Sequence, residues 1–158
     1  MSSRLIGRRA VLALAAAAAL TQASCAAVAA TPRLEPLEVV TDKGRTRFMV
    51  EVVDNDATRA KGLMFRKSLA PDRGMLFDFK TPREAAFWMK NTLIPLDIIY
   101  IKADGRVLSI ARNARPLDET PLPSGGAILG VLEIPGGRAA QIGLLPGDRV
   151  IHRIFPRD

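Results

Sequence analysis

Asp97-Ile98-Ile99-Tyr100-Ile101-Lys102-Ala103-Asp104-Gly105-Arg106-Val107-Leu108-Ser109-Ile110-Ala111-Arg112-Asn113 holds two strand signals around one turn signal. Asp97 to Lys102 is dense in β-branched and aromatic side chains and predicts a strand. Asp104-Gly105 is a two-residue hairpin signal, because Gly adopts positive φ without a steric penalty. Val107 to Asn113 follows as the partner strand. Strands joined by a tight turn run antiparallel, which argues against a regular alternation of strands and helices.

The same grammar extends in both directions. Thr31 to Pro36 reads as an extended leader, Leu37 to Thr41 as a strand and Asp42-Lys43-Gly44 as a turn. Arg45 to Val53 alternates, with Phe48, Val50 and Val52 on one face, as a half-buried strand does. Asp54-Asn55-Asp56 offers N-caps to a short helix, Asp56 to Met64. Pro71 to Gly74 is a turn and Met75 to Phe79 a short strand. Thr81-Pro82-Arg83-Glu84 has the form of a capping box, read as one helical turn before a strand over Ala85 to Lys90. Arg115 to Gly126 is a Pro- and Gly-rich loop, and Ala127 to Ile134 an apolar strand. Gly137 to Ile142 is a short helix and Arg149 to Phe155 the last strand. About eight short strands and two or three short helices predict a mainly β fold, an antiparallel sandwich or a partly closed barrel built from hairpins.

The first 29 residues have a different composition. Arg4, Arg8 and Arg9 precede an apolar run from Ala10 to Leu20. That run is too short to span a bilayer, which needs about 20 residues. Ala27-Val28-Ala29 fits the small-x-small rule for signal peptidase, so residues 1–29 read as a secretory signal. Gly7-Arg8-Arg9-Ala10 resembles a twin-arginine export signal. Ala23-Ser24-Cys25 resembles the end of a lipoprotein box, with Cys25 as the lipidated residue. The expected destination is the periplasm or the outside of the cell, with any membrane contact made through the signal or the lipid anchor.

Removing residues 1–29 from the 158 leaves 129, and the loss of three Arg takes the net charge from +7 to +4. One ordinary domain of that size is expected, with residues 30–44 forming the leader and first strand and 45–155 the body. No basic cluster is interleaved with aromatics, so nucleic acid is not an expected partner. Cys25 is the only cysteine and His152 the only histidine. Thiolate metal sites, cysteine nucleophiles and multi-histidine metal sites are therefore not expected after residue 29. Met49, Met64, Met75 and Met89 lack tight spacing and read as core filling. Ser124 has no Gly-x-Ser-x-Gly elbow around it. No motif points to a cofactor.

Several blocks resemble domain-of-unknown-function family 192 (DUF192). They are Gly62-Leu63-Met64-Phe65-Arg66, Gly74-Met75-Leu76-Phe77, Phe87-Trp88-Met89-Lys90-Asn91-Thr92, Ile94-Pro95-Leu96-Asp97, Val131-Leu132-Glu133 and Gly147-Asp148. The resemblance runs from about Arg45 to His152. It implies a small, mostly β domain, often exported or lipoprotein-like in bacteria, and brings no established activity.

The polar residues within these apolar blocks are the candidate site. Trp88, Lys90, Asn91, Asp97 and Glu133 could line a pocket for a small polar ligand or an envelope protein. Trp88 would give a flat wall, Lys90 a charge for an anionic group and Asn91 a directional hydrogen bond. Glu133 lies in a strand apolar on both faces, so its pKa should rise unless a cation pairs with it. The bland alternative is a buried salt bridge plus a turn stapled by Asn91 and Thr92. Two further readings remain: a hydrolase or lyase using Asp97 or Glu133 as general base, and a structural protein tethered at Cys25. The leading expectation is a non-enzymatic binding module.

Overall fold

The computed structural model describes residues 33–156. Residues 1–29, over which an export signal and a lipidated Cys25 are expected, lie outside them. Nine strands and two short helices follow in the order β1 Leu34–Thr41, β2 Gly44–Val53, α1 Asp56–Lys61, β3 Arg73–Arg83, β4 Ala86–Phe87, β5 Leu96–Ile101, β6 Val107–Ala114, β7 Leu122–Pro123, β8 Ile128–Pro135, α2 Arg138–Gln141 and β9 Arg149–Ile151. Seven strands form one curled sheet in the order β6-β5-β8-β3-β2-β1-β9, while β4 and β7 pair separately. All pairs are antiparallel except β2 with β3, which the α1 crossover makes parallel. The two ends of the large sheet meet at a corner. There the Val107 and Val150 amides donate to the Asp148 and Gly105 carbonyls at 2.8 Å each, and Arg106 bridges Arg149. The result is a half-barrel of mainly β structure, as expected.

The chain buries two apolar clusters, one on each face of the central strands. Leu76, Leu132, Ile134, Ile99 and Ile101 belong to the first, with Ala139, Ile142 and Leu144 at and after α2. Met75, Phe77, Val131, Ile98 and Tyr100 belong to the second, with Leu63 and Met89 from the loops. Every residue of β5 is buried. The alternation of adjacent side chains between faces is what splits the two clusters.

Local chemistry corrects several expected boundaries. The Asn55 side chain caps α1 by accepting from the Thr58 amide at 3.0 Å, but Gly62, with φ 48°, ends the helix before Met64. The 81–84 capping box forms no helix. Strand β3 continues to Arg83 through an irregularity after Asp78, where the Asp78 carboxylate takes the Lys80 amide at 2.9 Å. The strand expected over Ala85 to Lys90 shrinks to Ala86–Phe87, and its partner β7 lies inside the expected 115–126 loop. Ser124 staples that pair: its Oγ accepts the Ala85 amide and donates to the Gly126 carbonyl. The Asp104-Gly105 turn is one residue longer than expected, since Lys102 faces Arg106 across it. Gly105 holds φ 81°, and a Cβ there would stand 2.9 Å from the Val150 carbonyl. The strand expected from Leu37 begins at Leu34, and the last strand stops at Ile151 rather than Phe155.

Asp97 is fully buried. Its carboxylate accepts the amides of Asn113 at 2.7 Å, Gly137 at 3.1 Å and Ala139 at 2.7 Å. One side chain thereby fixes the end of β6 and the first turn of α2 to β5. Asp97→Ala would leave three N–H groups unpaired, the Ala139 one buried and the Asn113 and Gly137 ones part-buried, at about 1–3 kcal/mol for a buried group. Urea unfolding should show a loss of at least about 3 kcal/mol, against under about 0.5 kcal/mol for Glu84→Ala on the surface.

Candidate functional site

Strand register separates the two carboxylates that the sequence placed in one site. Asp97 pairs with Ile134, while the neighbouring Ile98 pairs with Glu133. Paired residues share a face and adjacent residues do not, so Asp97 and Glu133 point to opposite sides of the sheet. With its carboxylate committed to three backbone amides, Asp97 is a structural residue and leaves the candidate site.

Glu133 lies among Met75, Phe77, Val131 and Ile98 by register and alternation. It is buried, and its Oε2 has no hydrogen-bond partner. Burial raises its pKa to about 8, while the charge of Arg66 pulls weakly the other way. The opposing effect is small because Arg66 is committed elsewhere: its guanidinium takes both oxygens of Glu51, at 2.5 and 2.7 Å. At neutral pH Glu133 is a carboxylic acid, able to donate an O–H bond.

The Glu133 side chain lines a cavity of about 50 Å³, with Arg59, Met64, Phe77, Phe87, Trp88 and Thr92 among its other walls. Through Arg59, Phe77, Phe87 and Trp88 it adjoins an open groove of about 300 Å³ that adds Phe79, Ala85 and Ala86. Phe87 is the hub of the aromatic wall. It stands edge-on to Phe77 at 4.9 Å, to Phe79 at 6.4 Å and to Tyr100 at 6.0 Å. The Tyr100 hydroxyl donates to the Leu122 carbonyl, which ties β7 to the central sheet. The rim is basic. Arg59 and Arg83 lie over the Phe79 ring, and Lys90 lies 5.3 Å from the Trp88 ring centre.

The remaining sequence candidates surround this opening. Trp88 is 50 % exposed, an unusual position for the only tryptophan. Lys90 is half exposed and pairs with neither Asp97 nor Glu133; its nearest carboxylate is Glu119, at 3.9 Å. The buried salt bridge expected as the bland reading is therefore not formed by Lys90. Asn91 is a turn residue with φ 53°, and its carbonyl accepts the Phe65 amide at 2.9 Å. Thr92 is buried and its hydroxyl donates to the Lys90 carbonyl, so the expected turn staple is present. The structure thus brings Trp88, Lys90, Asn91 and Glu133 to one region. It adds Arg59, Phe77, Phe79 and Phe87, which the sequence reading did not select. The aromatic spacing Phe77-x-Phe79 on one strand face was the available signal.

A larger concavity, of about 430 Å³, lies beside α1 and β2. Four of its charges pair, Glu51 with Arg66 and Glu35 with Arg153, and Arg33, Asp54 and Lys61 line it as well. Buried His152 lies 3.2 Å from Glu35 through Nε2, out of line for a hydrogen bond. Burial holds its pKa down. Among the described residues no group of three metal-ligating side chains is present.

The DUF192 sequence family, described as an uncharacterized ACR, matches residues 38–152. The chain belongs to the DUF192 family. No curated protein matches it. A Novosphingobium aromaticivorans crystal structure, of a protein of unknown function, is 50 % identical with a TM-score of 0.74, and the match covers 75 % of this chain and 85 % of that one. A Sinorhizobium meliloti crystal structure, of a protein provisionally described as a transcription regulator, is 39 % identical with a TM-score of 0.73, over 75 % of this chain and 92 % of that one. Both solved structures share the fold over three quarters of this chain.

The protonation of Glu133 gives a signed prediction. Its folded pKa, about 8, lies above the unfolded value near 4.5. The folded state holds the proton more tightly, so this group's contribution to stability falls as pH rises from about 4.5 to about 8 and then levels off. Glu133→Gln removes that slope. Unfolding free energies should show the variant gaining on the wild type by a few kcal/mol between pH 5 and pH 8.5, on the order of 1.4 kcal/mol per unit of pKa shift. A constant difference across that range would mean that Glu133 is ionised in the fold.

Proposed function

We propose that this DUF192 domain is an exported, non-enzymatic binding module for a small amphiphile with a carboxylate head. The observation that supports this most is the orphaned acid of Glu133 at the end of a narrow cavity that opens into an aromatic groove. A neutral carboxylic acid donates one strong hydrogen bond to a carboxylate oxygen. The cations at the opening, Arg59, Lys61 and Lys90, favour an anionic head over an ammonium. Phe79, Phe87 and Trp88 give an apolar tail its surface. No second carboxylate or imidazole lines the cavity, so the arrangement suits recognition better than acid–base turnover. Export rests on the pattern of Arg4, Arg8 and Arg9, the Ala10 to Leu20 run and Ala27-Val28-Ala29.

The Sinorhizobium relative's description brings DNA into consideration. The two helices here, of six and four residues, give little to lay in a major groove. A small-molecule ligand is the better-supported partner.

Because Trp88 is the only tryptophan, its fluorescence reports on the groove directly. Titration with octanoate at pH 6.5 should give a saturable change. At pH 9 the apparent Kd should be about tenfold higher, because Glu133 has lost the proton it donates. Arg66 and Tyr100, which act electrostatically on Glu133, both have pKa values raised above their ordinary ones, so neither changes charge over this range. Glu133→Gln retains an N–H donor and should bind with little pH dependence. Octylamine binding in place of octanoate would overturn the carboxylate class, and no response to either would overturn the site.

A further inference from the structure

Six large apolar side chains are exposed among the described residues, and four lie on one group of loops: Phe65, Trp88, Leu93 and Leu117. Phe65 follows α1, Trp88 and Leu93 lie in the connection from β4 to β5, and Leu117 lies between β6 and β7. Backbone hydrogen bonds hold these loops together. The Phe65 amide donates to Asn91 at 2.9 Å, the Leu117 amide to Thr92 at 3.1 Å, and the Met89 amide donates to Asp118 at 2.8 Å.

The conformations at these positions are costly. Five non-glycine residues have positive φ, and three of them are in this cluster: Phe65 at 64°, Asn91 at 53° and Leu117 at 63°. Asn tolerates the left-handed region, but a bulky Phe or Leu is strained there. Phe65 and Leu117 are also the two most exposed of the six, at 62 % and 61 %. Strain of this kind persists where the surrounding structure enforces it, and it concentrates at functional positions. Here the fold uses strained backbone to present apolar side chains to solvent, the reverse of what stability alone would select.

The neighbouring charges identify the occupant. Lys67 lies two residues after Phe65, Lys90 lies over Trp88, and Arg115 lies two residues before Leu117, while Arg66 is bound to Glu51. The acids nearby are Asp118, whose carboxylate takes the Thr120 amide, and Glu119 beside Lys90. Cations therefore exceed acids. Lysine is depleted at the centre of protein–protein interfaces, whereas aromatic and aliphatic side chains among Lys and Arg suit the headgroup region of an anionic bilayer.

We propose that this loop cluster is a peripheral docking surface for an anionic lipid bilayer, with Phe65, Leu93 and Leu117 inserting at headgroup depth and Trp88 at the boundary. Of the four, Trp88 also lines the Glu133 cavity, while Phe65, Leu93 and Leu117 do not. The sequence reading gave a membrane contact only to the N-terminal segment; this surface adds a second contact, made by the folded domain.

Quenching of Trp88 by bromine-labelled lipid tests the loops themselves, whatever residues 1–29 do. The full chain is mixed with vesicles of phosphatidylglycerol and brominated phosphatidylcholine, or of brominated phosphatidylcholine alone. Strong quenching is expected with the anionic vesicles, weakening at high salt. The double variant Phe65→Ser, Leu117→Ser should need about tenfold more lipid for the same quenching. Both sites are solvent-exposed, and an unchanged thermal transition would verify the variant's fold. Glu133→Gln should quench like the wild type, which keeps this result distinct from the octanoate experiment. Absence of quenching, or equal quenching in the double variant, would overturn the proposal. So would a Trp88 emission shift that follows protein concentration without vesicles, since the patch would then join two copies of the chain.

Discussion

Strands β3, β5 and β8 have apolar layers on both sides, and that double burial governs the polar residues placed on them. Over 74–78, 96–101 and 130–134 neither face is open to water, so a carboxylate there either finds donors or gives up its charge. Asp97 and Glu133 represent the two outcomes. Asp97 receives three backbone amides that would otherwise be unpaired where β6 ends and α2 begins. Glu133 has an oxygen with no partner and a pKa raised to about 8. Two carboxylates one strand apart thus serve different ends, one holding loops to the sheet and the other poised as a buried acid.

Much of the fold was legible in local sequence. The Asp97–Asn113 hairpin, the alternating β2 strand and the Asn55 cap follow from side-chain shape and turn chemistry, which act over a few residues. The parallel pairing of β2 with β3 was not legible, because it depends on α1 and the 62–72 connection returning the chain alongside β2. Strand β7 was missed, and β4 was expected to run on to Lys90, for a related reason. Each has two residues, and they are held by Ser124 and Tyr100 rather than by their own propensity.

The candidate site was legible as a region but not as an arrangement. Phe87, Trp88 and Thr92 of the Phe87–Thr92 block line the cavity, and the desolvation of Glu133 followed from its apolar neighbours. That Asp97 and Glu133 face apart could not be read locally, since it depends on a register set by all three central strands. The exposure of Phe65 and Leu117 was equally hidden. Nothing in their sequence neighbourhoods announces positive φ, which is imposed by bonds to Asn91 and Thr92.

The corner where the sheet's ends meet bears on the order of events during synthesis. Strand β9 joins β1 with Ile151 opposite Glu38, and the adjoining segment bonds to residues 105 and 107. The half-barrel therefore cannot close until β9 has left the ribosome. Contacts of such large sequence separation form slowly, because a long loop must be ordered before they contribute. A nascent chain of this topology stays open until β9 is available to pair with β1.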